Sequence, residues 1–87
     1  MPPKLRRISG HDLVRVFENL GFDVVSQKGS HIKLRRETES GAQVLIIPDH
    51  RELDRGTLFS IFRKASAYVD ESVLRPIFYS DSGINPT

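Results

Sequence analysis

The chain's 87 residues, 38% hydrophobic and 28% charged, suit one small soluble domain with a modest core. A formal net charge of +2 and a pI of about 9.3 make it only mildly basic, with cations gathered at Lys4, Arg6 and Arg7 and again at Lys28, Lys33, Arg35 and Arg36. The absence of cysteine excludes disulfides, thiolate zinc sites and thiol catalysis, and no apolar run approaches the roughly 20 residues of a membrane span.

Residues 1–8 read as a basic arm, because Pro2 and Pro3 discourage a helix. Ser9 is placed as an N-cap with Asp12 three residues on. Leu13, Val16, Phe17 and Leu20 recur at helical spacing, and Gly21 is suited to end that helix in the left-handed conformation. Phe22 to Gln27 reads as a strand rich in β-branched residues. Lys28-Gly29 reads as a turn and Ser30 to Arg36 as the returning strand. A polar turn, Glu37 to Gly41, leads to a third strand, Gln43 to Ile47. It is the most apolar of the three, so it is expected to be well covered, and Pro48 stops it.

A loop with His50 follows. Asp54 caps a second helix in which Leu58, Ile61, Phe62 and Ala65 form the buried stripe and which Tyr68 and Val69 extend. Asp70 caps a further short segment with Val73 and Leu74, which Pro76 keeps short. Ser80 to Thr87 is polar and reads as frayed. The domain proper is residues 9–69 and the extension is 70–87. The order α-β-β-β-α predicts an α+β fold: a three-stranded antiparallel sheet with two helices on one face and the other face open.

Strand alternation places Ile32 and Leu34 on one face and His31, Lys33 and Arg35 on the other. A proton acceptor near neutral pH beside two cations suits chemistry on a phosphodiester; an idle exposed histidine is the alternative, favoured on these residues alone. Gly29 serves the turn and also allows close approach of a nucleic-acid backbone. Ser30 bonds the turn or a phosphate, the turn being favoured. His50 either faces the same groove or orders the loop, the latter being favoured. Arg55 and Thr57 stand at a helix N-terminus, where free N–H groups suit phosphate but ordinary capping suits equally. Arg63 and Lys64 read as a solvated face, and Tyr68, Phe78 and Tyr79 either stack on bases or complete the core, the latter being favoured. His11, His31 and His50 have no metal-ligand spacing.

Three pieces of the chain resemble the HicA toxin family, the messenger-RNA interferases of type II toxin–antitoxin pairs. They are the helix ending in Gly21-Phe22, the run Lys28-Gly29-Ser30-His31, and Ile47-Pro48-Asp49-His50 followed by Leu53, Gly56-Thr57-Leu58, Ile61 and Arg63-Lys64-Ala65. The resemblance covers roughly residues 9 to 66. Phe22 stands where the family commonly has tryptophan, and the chain after Ala67 is longer than in minimal members.

The resemblance implies a fold like the double-stranded RNA-binding domain. It also implies a metal-free endoribonuclease with His31 as its catalytic histidine and a HicB-type antitoxin as partner. Lys28, Gly29, Ser30, Lys33, Arg35, His50, Arg55 and Thr57 are the expected RNA-binding residues. Messenger RNA is the expected substrate, with no metal or small-molecule cofactor and no membrane. A cytoplasmic location fits, since Met1-Pro2-Pro3-Lys4 lacks the apolar stretch of a secretory signal. The rival is a non-catalytic module reading duplex RNA by shape. It would need lysines at the start of the second helix, where Leu53-Asp54-Arg55-Gly56-Thr57 has none.

Overall fold

Residues 4–80 are described by a computed structural model. Met1 to Pro3 of the arm, and Asp81 to Thr87 with Gly83 and Pro86, lie outside them. In chain order the elements are β1 (Lys4–Leu5), α1 (Gly10–Asn19), β2 (Asp23–Lys28), β3 (His31–Thr38), β4 (Gly41–Pro48), α2 (Arg55–Ser66), α3 (Glu71–Phe78) and β5 (Tyr79–Ser80). The fold is α+β. It separates into two compact units, residues 8–53 and a second made of residues 4–7 with 54–80.

The first unit holds α1 and the antiparallel sheet, in the order β2-β3-β4. The Ser9 hydroxyl accepts the Asp12 N–H at 3.0 Å and caps α1 as its sequence predicts. The buried stripe is rotated from the expected one. Gly10, Leu13, Val14 and Phe17 are buried, whereas Val16 and Leu20 are half-buried. Gly21 takes φ +98°, a backbone region open to glycine. Arg36 secures this end. Its guanidinium donates to the Leu20 carbonyl at 2.7 Å and to Gln43 Oε1 at 2.8 Å, and lies 4.6 Å from the Phe22 ring centroid. Arg36 therefore leaves the hairpin's cation cluster for a structural post.

Alternation along β3 buries Ile32 and Leu34, which join Leu45 and Ile47 of β4 in the core with α1 against β2 and β4. Truncating a fully buried leucine such as Leu34 to alanine costs about 2–5 kcal/mol. The third strand is covered on one face only. Leu45 and Ile47 are buried, but Ile46 points the other way and is 46% exposed. A continuous apolar run does not reveal whether both faces of its strand are covered.

In the second unit, Asp54 Oδ1 accepts the Thr57 N–H at 2.7 Å to cap α2. Leu58, Ile61, Phe62 and Ala65 are buried, as their spacing predicts. The helix stops at Ser66. Tyr68 and Val69 do not extend it; both donate back to the Ala65 carbonyl in a tight turn. Asp70 caps α3, and hydrogen bonds from Ser72 hold its carboxyl below the usual aspartate range. Phe62 meets Phe78 and Tyr79 edge-on, each at 5.3 Å between centroids, so buried Phe78 and half-buried Tyr79 pack on the core.

Two expectations change at the ends. Lys4–Leu5 is a strand, not part of an unstructured arm, and it pairs with Tyr79–Ser80. Ser80 is thus held in β5, and Arg6 donates its N–H to the Phe78 carbonyl at 2.7 Å. Residues more than 70 apart in the chain close this ladder, a pairing that local patterning does not encode.

Candidate nucleic-acid interface

Gly29 and Ser30 are the two residues joining β2 to β3, with Lys28 and His31 as the closing pair. Gly29 has φ +59°, and a Cβ built there would meet nothing within 4 Å. Glycine is favoured by its backbone angle, not by crowding, and the turn is open to an approaching chain. Lys28 belongs to the strand, not to the turn. Directly opposed strand residues share a face, with Cβ atoms about 5 Å apart. Lys28 and His31 are therefore side-by-side on the open face, and both are exposed.

Lys33 and Arg35 follow on the same exposed face, as alternation predicts. The register sets their neighbours: Lys33 lies between Ser26 and Ile46, and Arg35 between Asp23 and Val44. Arg35 also forms an ion pair with Glu37. The face is thus graded. Its His31 end carries the cations Lys28 and Lys33, while Arg35 is ion-paired with Glu37 and has Asp23 as its cross-strand partner. Composition does not show this gradient, because it arises from pairing across the sheet.

The His31 corner is fixed by backbone alone. His31 is paired with Pro48 on its other side. The next residue, Asp49, donates its N–H to the Ser30 carbonyl. The His50 carbonyl accepts the Gly10 N–H at 2.8 Å from the start of α1. His50 is exposed, and its backbone lies at the same end of the sheet as the Gly29-Ser30-His31 turn. The carbonyls of Ser30 and His50 both serve this framework, in keeping with the turn and loop roles.

Sequence reasoning passed over Gly10. A Cβ there would stand 1.9 Å from the Pro48 carbonyl oxygen, a separation that no pair of non-bonded heavy atoms tolerates. The available signal was a glycine directly after a strong N-cap, where a better helix former is expected. His11, beside it, is exposed.

Arg55 and Thr57 sit at the start of α2, in the second unit. The Thr57 N–H, which a phosphate would use, is already taken by the Asp54 carboxylate. Capping is the role the hydrogen bond supports. Among the described residues, no three histidine, aspartate or glutamate side chains gather to hold a metal, and no helix is long and apolar enough to cross a membrane.

The α-β-β-β-α order, with an antiparallel three-stranded sheet, is that of a double-stranded RNA-binding-domain-like fold. Residues 10–67 match the family described as HicA toxin of bacterial toxin–antitoxin systems. The chain belongs to the HicA toxin family: it is the toxin of a toxin–antitoxin pair, with a cognate antitoxin as partner. Comparison with curated proteins and with solved structures gives no match.

Proposed function

We propose that this toxin is a metal-independent endoribonuclease that cleaves messenger RNA, with His31 as general base, and that a HicB-type antitoxin restrains it. RNA carries its own nucleophile, the ribose 2′-hydroxyl. Neutral His31 takes the 2′-hydroxyl proton as that oxygen attacks the adjacent phosphorus. The P–O5′ bond breaks, the 5′ oxygen leaves with a proton from water, and a 2′,3′-cyclic phosphate remains. Lys28 and Lys33 offset the charge that builds on the phosphate oxygens.

The observation that carries this reading is the place of His31. It is exposed on an open sheet face, with Lys28 opposite and Lys33 two residues on, and is held at a corner braced by the Asp49–Ser30 bond. A shape-reading module would use lysines at the start of α2, where Asp54, Arg55, Gly56 and Thr57 stand instead.

The test is cleavage of a labelled messenger RNA by purified wild type and His31→Ala. Loss of a general base is expected to slow cleavage about 10²–10⁴-fold, with an unchanged circular dichroism spectrum because the side chain is exposed. Undiminished cleavage by the variant overturns the assignment.

A further inference from the structure

Helix α2 carries three cations, Arg55, Arg63 and Lys64, and no acidic residue. All three are exposed. Phe59, one turn from Arg55 and one turn from Arg63, is 45% exposed in a protein whose other phenylalanines are buried. Residues four apart on a helix share a face. Arg55, Phe59 and Arg63 therefore form one solvent-facing stripe, with Lys64 beside it. The Arg63 guanidinium carbon lies over the Phe59 ring, 5.9 Å from its centroid, and Phe59 keeps 45% of its surface exposed.

Phe59 sets an apolar ring among cations on this face, a position for which helix propensity alone does not select phenylalanine. A partner for this face is anionic, to meet three cations on a helix whose N-cap carboxylate, Asp54, already accepts the Thr57 N–H. It must also offer a flat apolar face to the ring. An unpaired nucleotide meets both demands, since its phosphates seek the cations and its base stacks on the ring. A base inside a duplex has no free face to give.

We infer that the Arg55–Phe59–Arg63 stripe of α2 is a second RNA-binding surface, on which an unpaired base stacks against Phe59 while its phosphates meet Arg55, Arg63 and Lys64. This rests on the ribonuclease reading above. It extends that reading by naming a single-stranded segment, bound by the second unit, as part of the substrate.

The test uses the full chain on the His31→Ala background, which keeps the RNA whole, with a labelled single-stranded RNA and a duplex of the same sequence. Phe59→Ala is expected to weaken single-strand binding roughly tenfold, within the range that one lost base–aromatic stack produces. Its salt dependence should stay that of the parent, because no charge is removed. Phe59→Tyr should retain affinity, and duplex binding should not respond to either change. Arg63→Ala should lower the salt slope.

Equal single-strand affinity of Phe59→Ala and the parent overturns the inference. So does a loss of antitoxin affinity with RNA binding intact, which would make the stripe a protein-docking surface. If the parent binds no RNA at all while folded, the ribonuclease reading itself fails, a result distinct from the other two.

Discussion

The backbone of Gly10 lies against the carbonyl of Pro48 so closely that a methyl group at Gly10 would stand 1.9 Å from that oxygen. Pro48 is the cross-strand partner of His31. The first turn of α1 and the candidate catalytic histidine are thus joined through one strand end, with the Gly10–His50 and Asp49–Ser30 hydrogen bonds on either side.

Gly10→Ala should therefore force α1 away from the β4 end, at a cost of about 1–3 kcal/mol or more. Gly56 provides the contrast. It also lies in the first turn of a helix, but its Cβ would meet only Asp54 Oδ1, at an ordinary 3.5 Å. Gly56→Ala should be neutral or stabilising by up to about 1 kcal/mol. Thermal melts check both, at roughly 4–8 °C per kcal/mol for a domain of this size. Equal melting temperatures for the two variants would refute the close-approach argument.

Cleavage should survive excess chelator. The proposed mechanism uses the 2′-hydroxyl, an imidazole and ammonium groups, none of which needs a metal ion. The assay is RNA cleavage with and without a strong divalent-ion chelator. Activity lost in chelator and restored by a divalent cation would place an ion in the reaction.

RNA affinity should fall steeply with salt, since phosphate contacts release counterions. The grading of the sheet face makes the effects of its cations unequal. Lys33→Ala should reduce the salt slope by about one, whereas Arg35→Ala should reduce it less, because Arg35 already engages Glu37. Binding isotherms at several ionic strengths, taken with His31→Ala chains, provide the comparison. A larger effect from Arg35→Ala would reverse the proposed polarity of the face.

The antitoxin should cover the open face of the sheet. Occlusion is the simplest way to silence a site on a flat surface, and burial of Lys28 and Lys33 would call for acidic or hydrogen-bonding groups opposite them. A stable complex of this kind buries at least about 1,000 Å². Hydrogen exchange should show His31–Thr38 protected in the complex relative to the free toxin. Protection restricted to residues of the second unit, with β3 unchanged, would show that inhibition works elsewhere.

Much of the local architecture is legible in the chain because each signal is carried by neighbouring residues. Ser9 and Asp54 announce their helices by offering a side-chain oxygen to an N–H three residues on. His31 and Lys33 are assigned to the open face by the two-residue period of a strand, a geometric consequence of backbone pleating. The Gly29-Ser30-His31 run stands out as a candidate site through its resemblance to the family, since an exposed histidine beside a turn carries no such signal alone. The exposure of Ile46 was not legible, since an apolar side chain carries no mark of which sheet face has a cover.

Sequence by itself determined the central α-β-β-β-α order, the N-caps Ser9, Asp54 and Asp70, the alternation that exposes His31 and the family to which the chain belongs. Tertiary structure alone decided which charges remain available at the site. Arg36 and Arg35 are consecutive and chemically alike, yet Arg36 is drawn to the Leu20 carbonyl and the Phe22 ring, while Arg35 meets Glu37 on the open face. Only the fold decided that β1 pairs with β5 and that Gly10 must remain a glycine. The reason is common to all of these. Period and propensity act over a few residues, whereas close approach, ion pairing and strand pairing join groups whose separation in the chain carries no local signal.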